Sequence, residues 1–191
     1  MLLVTFLQLF IYSFLLIIWA GTMYTFWLTL FYPPFVPTLN KKVLAYLSDY
    51  LDTNPKITHF CEPGCGLAGV AIYIAKKFPN IEVIAIEYNY FIYFLAKIWI
   101  KITGSKVHIF HGDILKFDFK SKLTPNQSLV YCYLLPSLMD EAFQLGKFQN
   151  TEVVTLDFKI SEAKCFKECG VETNGFQKKI YQYDFRDALV L

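Results

Sequence analysis

Apolar positions along the chain follow two regimes. From Leu2 to Tyr32 they are almost continuous, with Leu, Ile, Phe, Trp and Tyr prevailing and Gln8 the most polar member; beyond Lys41 they become periodic. No Lys, Arg, Asp or Glu precedes Lys41. A bilayer takes roughly 20 such residues, whereas a secretory signal opens with basic residues ahead of an apolar region of about 7 to 15. The opening run lacks the basic start and exceeds that length. It predicts a retained transmembrane helix over 1–32, with a cleaved signal or an unusually apolar core helix as the alternatives.

Pro33, Pro34 and Pro37 end this helix, because proline cannot continue it and restricts the residue before it. Residues 33–56 then form a stiff elbow and a short amphipathic helix, in which Val43, Leu44, Leu47 and Leu51 recur at helical spacing opposite Lys41, Lys42, Ser48 and Asp49. From 57 onward the periodicity alternates in kind. A strand at Ile57–Cys61, a glycine cluster, a helix from about Ala68 to Phe78 and a strand at Ile81–Ile86 make a crossover unit between parallel strands. The next helix starts at the capping Asn89 and stops at Gly104. Further strands are predicted at Lys106–His111, Ser128–Tyr133, Glu152–Phe158, Ala163–Val171 and Gln177–Asp184, the closing two as an antiparallel hairpin around Thr173, Asn174 and Gly175. The predicted class is α/β: a Rossmann-like, open, mostly parallel sheet of the seven-stranded type, preceded by one membrane helix.

Charge adds an orientation. Basic residues collect on the side from which a segment inserts, and Lys41 and Lys42 follow the first helix, so residues 57–191 are expected on the cytoplasmic or mitochondrial-matrix side. The five cysteines, odd in number and mostly within apolar runs, suit a reducing compartment. A net charge of +2 with scattered lysines argues against a nucleic-acid footprint. Cys165 and Cys169 with His59 make a poor zinc pattern, so no metal is expected. His108 and His111, three apart on one strand, face opposite ways.

The chemistry is concentrated in His59-Phe60-Cys61-Glu62-Pro63-Gly64-Cys65-Gly66-Leu67-Ala68-Gly69. Gly64 and Gly66 let a ligand approach the backbone, and the helix beyond offers unpaired N–H groups. Glu87 ends the second strand, where dinucleotide folds hold an acid against ribose hydroxyls. Asp113 follows the third. Parallel strands bring their carboxyl ends together, so Glu62, Glu87 and Asp113 are expected at one crevice. The competing readings are a tight turn for the glycines and a solvated strand-end acid for Glu87.

With these residues in place the chain resembles the class I S-adenosylmethionine-dependent methyltransferases, whose acid, spacer and alternate glycines are matched by Glu62, Gly64 and Gly66. Ala68 stands where the third alternate glycine is usual. The resemblance implies that the glycine loop cradles the methionine part of S-adenosyl-L-methionine, that Glu87 holds the ribose and that Asp113 lies beside the adenine. NAD is the other ligand of such loops; the Gly112-Asp113 pair favours the methyl donor. More narrowly, the order of an anchor, Pro34-Phe35-Val36-Pro37-Thr38, the donor motifs and Tyr133-Leu134-Leu135-Pro136 resembles the membrane-anchored protein-lysine methyltransferases acting on the adenine nucleotide translocase and the ATP synthase c subunit. That resemblance implies that Thr38 helps to close the donor site, a plain helix cap being the alternative, and that Tyr133 borders the acceptor.

A lysine acceptor must lose its proton before methylation, and burial beside aromatic rings favours the neutral amine; Tyr131 and Tyr133 are candidates for holding it, and Tyr133, nearer the carboxyl end of its strand, is the candidate catalytic residue. The helix from Tyr90 to Ile102 carries apolar residues around most of its circumference, which fits contact with the bilayer or with the first helix, or else burial in a compact core. Three functions are expected from these features: methylation of a lysine in a membrane protein, methylation of a lipid or other apolar small molecule, or a non-catalytic cofactor-binding or assembly role.

Overall fold

The computed structural model describes residues 2–31, 40–173 and 176–186, with side-chain surroundings at 8–24, 40–171 and 177–186. The chain divides into two compact units, Met1–Val36 and Pro37–Leu191. The first contains helix α1 (Leu2–Phe31). Its hydroxyls bond back onto the helix, Ser13 Oγ donating to the Leu9 carbonyl and Thr22 Oγ1 to that of Trp19, each at 2.8 Å. Among the described residues no helix is long and apolar enough to cross a membrane. This overturns the expected single-pass anchor, and with it the expected location on the cytoplasmic or matrix side of a membrane. The proline elbow and Thr38 lie outside the described residues.

The second unit opens with α2 (Lys41–Thr53), whose first turn is capped by Asn40 accepting the Lys42 N–H at 2.8 Å. Val43, Leu44, Leu47 and Leu51 are its buried face. The sheet that follows uses β1 (His59–Pro63), β2 (Glu82–Glu87), β3 (Val107–His111), β4 (Ser128–Cys132), β5 (Glu152–Leu156), β6 (Lys167–Thr173) and β7 (Phe176–Asp184). Between them run α3 (Gly69–Lys77), α4 (Tyr90–Thr103), the single turn α5 (Phe119–Lys122) and α6 (Pro136–Gln144). The strand order is β3-β2-β1-β4-β5-β7-β6. The first five strands are parallel, and β7 is antiparallel to both β5 and β6. The expected class, open parallel sheet and antiparallel closing hairpin are all present.

Successive residues of a strand point to opposite faces, which builds two cores. Phe60, Val83, Ala85, Leu129, Tyr131 and Val154 pack on one face with Val43 and Leu47 of α2 and Val70 and Ile74 of α3. Cys61, Ile84, Ile86, Val130, Cys132 and Val153 pack on the other with Met139 of α6, Phe148 and Tyr183. A sheet covered on both faces explains why β4 and β5 are buried along their whole length. α4 behaves differently. It is capped by Asn89, ends at Gly104 in the left-handed region, and fully buries only Ala96 and Ile100. Tyr90, Phe94, Ile98, Trp99 and Ile102 stay exposed, so most of its apolar surface lies outside the core.

Candidate active site

The carboxyl ends of the central strands are tied to one another by backbone hydrogen bonds. Gly64 N and Cys65 N donate to the Ile86 carbonyl at 2.8 and 3.0 Å, and Gly112 N donates to the Glu87 carbonyl at 3.0 Å. Glu62, Glu87 and Asp113 therefore stand along one margin of the sheet, at the ends of β1, β2 and β3.

Each acid has a distinct environment. Glu62 is buried, and its Oε2 accepts the Ala71 N–H in the first turn of α3 at 2.8 Å, a favourable place for an anion. Burial pushes its pKa up to about 8; the Ala71 N–H opposes that rise and the nearby Glu87 adds to it. Glu87 is half-buried. Its Oε2 accepts the Gly66 N–H at 2.9 Å and its Oε1 the Asn89 N–H at 2.8 Å. Burial lifts its pKa, while bonds from Asn89 and Gly66 and the nearby His111 pull it down. Asp113 folds its Oδ1 back to the Leu115 N–H at 2.9 Å, closing a turn after β3.

The turn after β1 is left-handed at three alternate residues: Gly64 at φ 69°, Gly66 at 56° and Ala68 at 56°. A side chain at Gly64 would place Cβ 2.4 Å from Leu134 Cδ2. Gly64 is thus explained by packing as well as by backbone conformation. Ala68 shows that the third alternate position tolerates a methyl group in a conformation costing about 1–2 kcal/mol for a non-glycine residue, and that methyl is buried.

A second group of side chains lies at the ends of β4 and β5. Tyr133 follows β4 directly, and Asp157 follows the neighbouring β5. Lys178 Nζ donates to Tyr133 Oη at 2.8 Å and to Asp157 Oδ2 at 2.5 Å, and Tyr133 Oη lies 3.5 Å from the same carboxylate oxygen. Phe158 stacks on the Tyr133 ring, centroids 6.0 Å apart. Asp157, Phe158 and Lys178 are brought to Tyr133 by the register Leu156↔Ile180, which is a tertiary property. A strand-end acid at Asp157, matching Glu87, was the one signal available.

His111 is a second unforeseen neighbour. It is aligned with Glu87 across β2 and β3, touches the Tyr88 carbonyl through Nε2 at 3.0 Å, and meets Tyr90 edge-on at 5.3 Å. A groove of about 570 Å³ between α2 and β6, lined by Lys42, Tyr46, Asp49, Cys169, Val171 and Gln177, adjoins none of the sequence-predicted residues. Among the described residues no three His, Cys, Asp or Glu side chains gather as a metal site.

No family model and no curated protein matches the chain. Solved structures do. An RNA methyltransferase of Salinibacter ruber, crystallised with S-adenosyl-L-homocysteine, is 22% identical, with 81% of this chain and 97% of that one aligned at a TM-score of 0.65. The tRNA methyltransferase TrmK of B. subtilis is 15% identical over 78% of this chain and 68% of its own, at 0.57. TrmN of Thermus thermophilus is 14% identical over 74% and 48%, also at 0.57. Strand order, crossover pattern and this alignment agree: the chain has the fold of the class I S-adenosylmethionine-dependent methyltransferases.

Proposed function

We propose that the protein is a methyltransferase that takes its methyl group from S-adenosyl-L-methionine and passes it to an amine. The observation that carries the donor half is the Glu87 carboxylate, fixed by backbone N–H groups that include those of Gly66 and Asn89, beside the glycine-containing turn after β1. A carboxylate can accept two hydrogen bonds side by side, which matches the neighbouring hydroxyls of a ribose. Gly66, Gly64 and the start of α3 would hold the methionine part, and Asp113 with His111 would flank the base. The Salinibacter structure, with its bound S-adenosyl-L-homocysteine, supports the same ligand.

The donor supplies a methyl group already activated as a sulfonium, so the protein's task is alignment and exclusion of water. The acceptor side is Tyr133 with Asp157. An alkylammonium there is attracted by a carboxylate and by an aromatic face, and Asp157 is within reach to take the proton that the amine must lose. This favours a lysine side chain as acceptor. A nucleic-acid acceptor is the second reading, favoured by the named RNA and tRNA methyltransferases among the structural relatives; a net charge of only +2 weighs against it.

Calorimetry with S-adenosyl-L-homocysteine tests the donor half, with saturable binding expected and its absence refuting the reading. Labelled donor offered to a cell extract then tests the acceptor. Label in acid-stable methyl-lysine is expected, whereas label confined to RNA would transfer the assignment to the second reading.

A further inference from the structure

We infer that Lys178 is a built-in occupant of the acceptor's ammonium site: Asp157 and Tyr133, whose ring Phe158 backs by stacking, form a cage for an alkylammonium, which Lys178 fills in the free protein and an incoming lysine-type cation takes over. The inference rests on the proposed function and adds to it a competitor carried by the chain itself.

Four observations converge. The Lys178 Nζ lies over the Tyr133 ring at 4.6 Å from its centroid, the shortest of the described cation–ring contacts, the others being 5.1 to 5.8 Å. The same nitrogen bonds a carboxylate and a phenol, so ring, anion and neutral acceptor all serve one cation. Asp157 holds its place with φ at +68°, a conformation of some energetic cost to a non-glycine residue, and its own N–H is fastened to the Lys179 carbonyl at 2.7 Å. Finally, the lysine and the aspartate retain side-chain exposures of 24% and 26%, so the cage opens to solvent at its rim.

A plain structural ion pair would account for the carboxylate alone, and a partly exposed pair contributes about 0–1 kcal/mol. It would not call for the stacked aromatic wall, nor for a site beside the strand end from which Leu134 reaches over Gly64. Burial lowers the Lys178 pKa, but the bonds to Asp157 and Tyr133 outweigh it and keep the ammonium charged. The cage therefore binds its guest as the cation, which must pass a proton to Asp157 before its nitrogen has the lone pair that methyl transfer requires. A second lysine has to displace Lys178, which swings out on the flexible stem of its own side chain.

The test uses n-butylammonium chloride, which reproduces the end of a lysine side chain, with sodium chloride at equal ionic strength as control. In the full chain carrying 13C-lysine, the Lys178 Cε resonance is expected to shift saturably with the amine and not with sodium. Lys178→Met, which keeps the apolar stem and loses the competitor, is expected to bind the amine about tenfold more tightly, the gain when an occupant present nine-tenths of the time is removed. Asp157→Asn in that background should abolish it. No Lys178 shift in the unaltered protein, or no saturable amine binding by a folded Lys178→Met variant, overturns the inference. Binding of S-adenosyl-L-homocysteine measured on the same samples separates the two claims: donor binding without amine binding sinks only the cage, and amine binding without donor binding sinks the methyltransferase reading.

Discussion

Glu87 Oε2 accepts the Gly66 N–H at 2.9 Å, so the acid at the end of β2 and the turn after β1 are held as one piece. Glu87→Gln preserves an acceptor oxygen but removes the charge and one oxygen of the pair. Hydrogen bonds to a charged group contribute about 1.5–3 kcal/mol each, so affinity for S-adenosyl-L-homocysteine is expected to fall roughly 10- to 100-fold by calorimetry, with the circular dichroism spectrum retained. Unaltered affinity would remove Glu87 from the ribose role.

Gly64 and Leu134 should be energetically coupled. Gly64→Ala forces a Cβ into the left-handed region and against Leu134 Cδ2, at an expected cost of about 2–4 kcal/mol in urea unfolding, combining backbone and overpacking effects. Trimming the neighbour with Leu134→Ala should recover only the steric share. In a double-mutant cycle the pair is expected to be less destabilised than the two single variants added together, by at least about 0.5 kcal/mol; strict additivity would show that the two side chains do not meet.

Glu62 sets a pH dependence. Its folded pKa, about 8, lies above the ordinary 4.5 because of burial. The folded state therefore binds the proton more tightly than the unfolded chain does. The stabilisation is fully present below about pH 4.5 and is lost as pH rises towards 8, each pKa unit being equivalent to roughly 1.4 kcal/mol. Glu62→Gln, neutral at every pH, should flatten that slope in thermal melts taken between pH 5 and 8. An equally steep slope in the variant would assign the effect to other groups.

Tyr133→Phe keeps the ring stacked on Phe158 and deletes the oxygen to which Lys178 donates. Turnover is expected to drop roughly tenfold, the equivalent of about 1.4 kcal/mol of alignment, while donor affinity stays within a factor of two. A loss of donor affinity of the same size would place Tyr133 on the wrong half of the site.

What could be read from the residues beforehand was what local chemistry decides. Asn89 and Gly104 bracket α4 as expected, since a side-chain cap and a left-handed terminator are visible one residue at a time. Strand identities survived although β1 begins at His59 rather than Ile57, because its limits depend on where β2 and β4 pair with it. α6 is hidden in the sequence because its start signal, Pro136 in the first turn, also closes the Tyr133-Leu134-Leu135-Pro136 motif. The charge-free opening run predicts a membrane anchor, and hydrophobicity alone does not secure that conclusion. Lys178 was beyond reach: it lies 45 positions from Tyr133, and only the antiparallel insertion of β7 beside β5 brings the two together.

That insertion has a bearing on how the molecule is made. The residues proposed for the donor, between Glu62 and Asp113, belong to strands that neighbour one another and emerge early from the ribosome. The amine cage closes only when β7 slides between β5 and β6. A nascent chain can therefore shape a nucleoside-binding edge well before it owns a lysine to guard the opposite end, and vectorial synthesis would separate the two halves of the site in time as the sheet separates them in space.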